Sequence, residues 1–423
     1  MPAATEPGAV HMDERDLIYD WNEKGEPFDY SSVRIELDDE TLRDGLQNPS
    51  VTDPPIDKKI ELIHMMAELG IHTADIGLPG AGPRARADTL TLAKEIRDAK
   101  LPIAANCAAR TVEADIMAVV DISQEVGIPI EVCTFIGSSP IRRYAEGWTV
   151  DFIRETSEKA IRLVVSEGLP SMYVTEDTTR TDPETLESLY LTAIAAGTQR
   201  LCLADTVGHA TPNGTRALVR FVRELVREAG QDVMIDWHGH RDRGFGLANC
   251  LAAIEEGVHR VHGTALGIGE RVGNAEMDLL LLNLKLLGMH DRDLSRLPDY
   301  VRLASEACGV EVPHNYPALG ADAFRTGTGV HAAAIIKAKK KGHDWLADRI
   351  YSGVPASEFG LKQKIEISHV SGLSNVKYWL GEHGFDADDD ELCRAIFEHA
   401  KAANSVLSEA EIRAVIEECR SRS

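Results

Sequence analysis

The sequence predicts an α/β fold, a (β/α)8 TIM barrel followed by a helical C-terminal region, and three observations carry that prediction. Short β-rich segments alternate with stretches of helical apolar spacing. There are eight such units over roughly 250 residues, the count and length of a barrel, whereas a doubly wound sheet usually has fewer strands. Beyond them the alternation stops. In chain order, residues 1–32 mix Pro, Gly and acidic residues with Tyr19, Trp21, Phe28 and Tyr30 and read as an N-terminal arm that packs on another surface. Strands are expected at Val33–Leu37, Thr73–Leu78, Pro102–Cys107, Ile130–Phe135, Ser171–Glu176, Arg200–Asp205, Val233–His238 and Arg260–Ala265. Helices are expected at Ile56–Leu69, Glu113–Val126, Phe152–Val165, Leu186–Ala195, Thr215–Arg227, Leu247–Glu255 and Glu276–Leu287. The turn at Asp291–Asp293 with Pro298 marks the barrel exit, which gives a catalytic domain over 33–290. The region 291–423 carries helical patterns at Asp299–Cys308, Ala321–Lys340, Glu391–Ala402 and Leu407–Cys419, the last opening on a Ser408/Glu411 capping box.

Composition removes several function classes. The 423 residues carry 45 Lys and Arg against 68 Asp and Glu, a net charge of −23 that repels a phosphate backbone. The basic run Lys337–Lys341 reads as a solvated helix face, so no nucleic-acid partner is expected. No window holds the ~18 apolar residues of a spanning helix, so no membrane partner is expected either. Seven scattered cysteines without a CxxC pair read as reduced thiols. With no secretory or transit pattern at the N-terminus, the expected location is cytoplasmic.

A barrel builds its site from the C-terminal ends of its strands. The first strand runs into Asp38-Asp39-Glu40-Thr41-Leu42-Arg43-Asp44-Gly45-Leu46-Gln47, and the seventh ends His238-Gly239-His240. Residues two apart on a strand share a face, so both imidazoles can meet one ion and, with a carboxylate from another strand, form a two-His, one-carboxylate set. A lone HxH pair equally fits two polar strand-end histidines. No other histidine stands out at a strand end as a base. The eighth unit supplies a glycine-rich loop, Gly267-Ile268-Gly269-Glu270-Arg271-Val272-Gly273-Asn274, which suits close approach to a ligand or simply a tight turn.

Together these segments carry a resemblance. Asp39–Gln47 is similar to the DxTLRDGxQ signature, and His238–Asn249 and Gly267–Asn274 resemble two later signatures of the DRE-TIM metallolyase family, in its Claisen-condensing branch of 2-isopropylmalate, homocitrate and citramalate synthases. The resemblance implies a divalent metal (Mg, Mn or Zn) held by Asp44, His238, His240 and Asn274, with acetyl-CoA or a related acyl-CoA as co-substrate of a 2-oxo acid. It implies that Arg43 stabilises charge on the attacked carbonyl oxygen and that Thr206 holds the 2-oxo carboxylate. Gln47, Asp75 and Arg142 fall at the substrate, and Gly267, Gly269, Glu270 and Arg271 on the acyl-CoA loop. His331 resembles the general base, with Glu176 its carboxylate partner and Tyr351 a supporting tyrosine. The family further implies a homodimer whose C-terminal region reaches the partner's barrel.

The chain also departs from the pattern. Asp75 stands where Glu is general, and Arg241 where Asn is usual. Arg43–Asn48 resembles the motif of 3-hydroxy-3-methylglutaryl-CoA lyase, making a metal-dependent acyl-CoA lyase the alternative, although 263–274 lacks that enzyme's loop cysteine. A non-catalytic relative is the third reading. Arg142, Arg143 and Arg180 lean toward an acidic 2-oxo acid, whose distal carboxylate or phosphonate they would pair; on the rim in water they would do nothing of the kind.

Overall fold

A computed structural model describes residues 17–24 and 27–422. Of the N-terminal arm expected over 1–32, residues 1–16 and 25–26 lie outside the described residues. The rest makes short turns at Trp21–Glu23 and Tyr30–Ser32, and Tyr30 donates its hydroxyl to Glu255 Oε1 at 2.5 Å.

Eight parallel strands close into a barrel in sequence order: β1 (Glu36–Asp39), β2 (Thr73–Asp75), β3 (Ala104–Arg110), β4 (Ile130–Gly137), β5 (Ser171–Glu176), β6 (Arg200–Asp205), β7 (Met234–Gly239) and β8 (Arg260–Gly263). The barrel is sealed by β1 against β8, in the register Asp38 to His262. Around it run α1 (Ile56–Glu68), α2 (Pro83–Asp98), α3 (Glu113–Val126), α4 (Pro140–Glu146), α5 (Val150–Ser166), α6 (Pro183–Ala196), α7 (Pro212–Ala229), α8 (Gly246–Glu255) and α9 (Met277–Leu286). The (β/α)8 expectation therefore holds, and every expected strand is present within a few residues. Two helices lack a sequence signal for physical reasons. α2 buries only Thr89, Leu92, Ala93 and Ile96, which makes a weak apolar stripe. α4 buries nothing, so it has no stripe at all.

After the barrel come α10 (Leu297–Cys308), β9 (Arg325–Thr326), α11 (Gly329–Lys340), α12 (Asp344–Arg349), β10 (Lys364–Ile365), α13 (Leu373–Glu382), α14 (Asp390–Ala402) and α15 (Glu409–Arg422). α10 belongs to the barrel's own apolar cluster through Leu297, Tyr300, Val301, Ala304 and Cys308. The helix expected over Ala321–Lys340 starts only at Gly329, because Arg325–Thr326 pairs with β10 instead. Gly329 itself lies so close to another segment that a Cβ there would sit 2.6 Å from the Gly372 nitrogen. Two further cores form here, one around Ile335, Ile336 and Ile365 and one around Val376, Leu380, Ile396 and Ile412. The Ser408 capping box is present: Ser408 N–H donates to Glu411 Oε2 at 2.7 Å, and Glu411 N–H returns a bond to Ser408 Oγ at 3.3 Å. Among the described residues no helix is long and apolar enough to cross a membrane.

The inside of the barrel is unusual in its charge. Strand residues alternate between faces, and the inward set includes Arg260, almost fully buried, donating to Asp236 Oδ2 at 2.7 Å and Glu131 Oε2 at 2.6 Å. Arg200 donates to Asp236 Oδ1 at 2.8 Å. Burial opposes ionisation of Asp236, yet Arg260 and Arg200 hold its carboxyl well below the ordinary range.

Candidate active site

The turn that follows β1 carries three charged side chains into the barrel mouth. Thr41 N–H donates to Asp39 Oδ1 at 2.9 Å and Gly45 N–H to Glu40 O at 3.0 Å, closing the turn so that Glu40, Arg43 and Asp44 all line one cavity. From β7, His238 and His240 arrive on the same face, their Nε2 atoms 3.4 Å apart. Asp44 Oδ2 lies 3.3 Å from His238 Nε2 and 3.4 Å from His240 Nε2. Asn274, bridged to His240, donates Nδ2–H to Asp44 Oδ2 at 2.9 Å. The expected metal set is thus brought together by the fold.

These residues fit a divalent ion. Their donor atoms converge from three strand ends, with mixed oxygen and nitrogen character. Glu40 Oε1 lies 2.8 Å from His238 Nδ1, so the carboxylate accepts the Nδ1–H hydrogen bond and leaves the Nε2 lone pair facing Asp44. Asn274 Oδ1 is buried without a partner. Burial lowers His240 to about 4, keeping its imidazole neutral as a ligand must be. Asp44 is pushed upward by burial, but Arg43 and the two histidines hold it far below the usual range. A second grouping, Glu40, His238 and His262, also has close donor atoms. There, however, Glu40 Oε1 already accepts from both rings, His262 Nδ1 lying 2.7 Å away.

Arg43 sits beside this set, its Nε donating to Asp75 Oδ2 at 2.8 Å and its other nitrogens facing Glu40 and, at 3.9 Å, Asp44. The cavity measures about 240 Å³. Its β1, β2, β7 and β8 side is charged: Asp38, Glu40, Arg43, Asp44, Asp75, His238, His240 and His262. Its β3–β6 side is apolar: Ala108, Cys133, Phe135, Met172, Val174, Cys202 and Ala204. Burial pushes the Cys133 and Cys202 thiols well up, so they are uncharged wall. Gln47, Glu176, Thr206 and Glu270 complete the rim. Burial raises the Glu176 carboxyl against the pull of Arg142. Thr206 Oγ1 accepts from Asp177 N–H at 2.8 Å.

Other expected site residues stand elsewhere. Arg142 is not part of the cavity lining; it lies 3.6 Å from Glu176 Oε1 and pairs with Glu146 at 3.0 Å. Arg271 is bonded to Asp242 and to Thr206 O at 2.6 Å. Gly267 and Gly269 shape the loop rather than line the cavity. Gly267 has φ +61, and a Cβ there would sit 2.7 Å from Asn274 O, so glycine is what lets the loop place Asn274. His331 and Tyr351 stack on each other, ring centroids 4.0 Å apart, both exposed and neither lining this cavity.

No other histidine is expected at a strand end as a base; one that the sequence pattern does not single out nevertheless lines the cavity, with both ring nitrogens facing carboxylates of the protein. His262 lines the floor, bonded to Glu40 and lying 3.3 Å from Asp236 Oδ2. Its signal was parity: Arg260, His262 and Thr264 fall on one face of the eighth strand, as Glu36, Asp38 and Glu40 do on the first.

Residues 34–303 match the HMGL-like family. The homocitrate synthase AksA of Methanopyrus kandleri is 32% identical over 86% of this chain and 86% of its own length. A 2-isopropylmalate synthase of Sulfurisphaera tokodaii is 29% identical over 89% of this chain and 93% of its own. Among solved structures, an HMG-CoA lyase of Bacillus subtilis superposes with TM-score 0.55 at 21% identity, covering 66% of this chain and 95% of that one. That last likeness speaks to the barrel fold alone.

Proposed function

The chain belongs to the HMGL-like family, and from that premise we propose that it condenses acetyl-CoA, or a related acyl-CoA, with a 2-oxo acid to give a 2-alkylmalate- or homocitrate-type product and free CoA. The observation that carries this reading is the convergence of Asp44, His238 and His240 beside Arg43 at the mouth of the barrel. Relatives named as homocitrate and 2-isopropylmalate synthases, similar over most of the chain, support it.

A divalent ion held by Asp44, His238, His240 and Asn274 would supply Lewis-acid polarisation of the 2-oxo acid's carbonyl. Arg43 places a guanidinium where negative charge develops on that oxygen, and its three carboxylate neighbours hold it there before substrate arrives. Thr206 and Gln47 on the rim bind the 2-oxo acid, and Asp75 fixes Arg43. A base removes a proton from the acetyl methyl group, the resulting carbon bonds the carbonyl carbon as the C=O π bond opens, the oxygen takes up a proton and stays on the product as its hydroxyl, and water cleaves the thioester to release CoA. His331 is our base, Glu176 its carboxylate partner and Tyr351 its ring neighbour. The loop with Gly267, Gly269, Glu270 and Arg271 faces the acyl-CoA.

Since His331 and Tyr351 are exposed and absent from the cavity of their own barrel, the reading includes a homodimer in which the C-terminal region reaches the partner's site. It takes 1–32 as arm, 33–290 as catalytic barrel and 291–423 as the helical region that completes the site, and it places the protein in the cytoplasm. The test is CoA release, read with a thiol reagent, from acetyl-CoA and a panel of 2-oxo acids. Cleavage of 3-hydroxy-3-methylglutaryl-CoA without condensation would establish the lyase alternative, and no turnover of either kind the non-catalytic one.

A further inference from the structure

We infer that the site is built for a monoanionic 2-oxo acid with a short aliphatic side chain and rejects one that carries a second acidic group. The inference rests on the condensation reading and adds the side-chain chemistry to it. The guanidiniums that suggested an acidic substrate face the protein's own carboxylates, although the Nε atoms of Arg142 and Arg143 are left without a hydrogen-bond partner among the described residues. Arg142 pairs with Glu146 and lies against Glu176, Arg143 donates to Asp182 Oδ2 at 2.9 Å, and Arg180 grips both oxygens of Asp177 at 2.7 Å. Arg271 is likewise held by both oxygens of Asp242.

Among the described residues, Arg43 is the one Arg or Lys that lines the cavity, against six carboxyl groups, and it already faces three of them. The two halves of the lining then fix the substrate's direction. The metal ligands stand on the charged half, so the keto and carboxylate oxygens of the substrate face that way. Its side chain consequently enters the half formed by β3–β6, where Ala108, Phe135, Met172 and Val174 meet it. A carboxylate or phosphonate placed there would lose its hydration with no charged donor to replace water, the Thr206 hydroxyl standing above it at the rim, and Glu176 at the rim would repel it. An aliphatic group there buries apolar surface instead.

The experiment is a comparison of kcat/KM on the full-length, metal-loaded protein. Pyruvate and 3-methyl-2-oxobutanoate represent the aliphatic class, and oxaloacetate, 2-oxoglutarate and phosphonopyruvate the acidic one. The expected result is a preference for the best aliphatic acid of about 100-fold or more over every acidic one, the scale on which an unmatched polar group is rejected. Equal or better turnover of any acidic substrate overturns the inference.

Calorimetric binding of the same acids to the metal-loaded protein needs no acyl-CoA. If no acid releases CoA, the condensation reading fails while calorimetry still reads the side-chain preference: tighter binding of the aliphatic acids upholds the inference, equal or tighter binding of the acidic ones refutes it. Ala108→Val adds two methyl groups to the apolar half. It should lower the ratio of kcat/KM for 3-methyl-2-oxobutanoate over pyruvate at least about tenfold, with circular dichroism confirming the fold. An unchanged ratio in the folded variant would show that the side chain lies elsewhere and would also refute the inference.

Discussion

Replacing Glu40 by Gln should weaken metal binding while leaving the barrel folded, because this carboxylate orients the proposed ligand His238 and also holds His262 and Arg43. Oε1 accepts from His238 Nδ1 at 2.8 Å and His262 Nδ1 at 2.7 Å, and Oε2 faces Arg43. The amide that replaces it has one acceptor where three donors converge. With its oxygen toward the imidazoles, its NH2 meets the Arg43 guanidinium, donor against donor. Turned round, its NH2 makes His238 Nδ1 the acceptor, which puts the ring proton on Nε2 and blocks ligation. Exchanging one charge-assisted bond for such a mismatch costs about 1.5–3 kcal/mol, or roughly 10- to 150-fold in dissociation constant. Competition between the metal-free protein and a fluorescent chelator for Zn or Mn measures it directly. Wild-type affinity in a folded Glu40→Gln protein would refute the assignment of Glu40 as the group that orients His238.

Four further outcomes are expected. Exhaustive chelation should abolish CoA release and added Mg, Mn or Zn should restore it; full activity in metal-analysed apoprotein would contradict the proposed site. Arg43→Lys keeps the positive charge among Glu40, Asp44 and Asp75 but loses the forked donor, so kcat should fall about 100-fold or more with metal content unchanged. Asp236→Asn removes the carboxylate shared by Arg260 and Arg200 in the barrel interior and should cost about 3–5 kcal/mol, read as a lower denaturant midpoint. Mixing His331→Ala with Asp44→Ala protein should, after subunit exchange, recover up to about half the activity of a two-site dimer if the base acts across the interface. No recovery, with heterodimers shown to form, would confine His331 to its own chain.

How much of this was legible in the sequence depends on what each residue faces. Strands at Ser171–Glu176 and Arg200–Asp205 could be placed because β-rich runs with sharp ends mark buried parallel strands. Asp44, His238 and His240 could be placed because a strand end and a two-residue spacing fix where a side chain goes. Glu40 and His262 were harder to see. They lie far apart in sequence, and only the β1–β8 closure brings the first turn over the eighth strand. The partners of Arg142, Arg143 and Arg180 were equally out of reach. A guanidinium's sequence neighbourhood gives its charge, while its role depends on whether a carboxylate such as Asp182 has already claimed it.

The interior charges explain why the site is placed at this end and on this side of the barrel. Within it, among the described residues, the carboxyl groups of Glu36, Asp38, Glu40, Asp44, Asp75, Glu131 and Asp236 share three guanidiniums, those of Arg43, Arg200 and Arg260. Arg200 and Arg260 neutralise the lower part, where Asp236 and Glu131 sit. The upper part keeps an excess of acid shared out among Arg43, the imidazoles, Thr73 and Asn106, the last donating to Asp38 Oδ1 at 2.6 Å. Burying like charges together is unfavourable unless a cation joins them. A divalent ion at Asp44 would offset part of that excess, so metal binding and the electrostatics of the fold favour the same end of the barrel. Between the buried pair Glu131 and Arg200 and the rim residue Glu176, the cavity wall that β3–β6 supply is uncharged, from Ala108 to Ala204. It is therefore free to be shaped by the substrate's side chain alone, and selectivity among 2-oxo acids can change there without disturbing the residues that hold the metal.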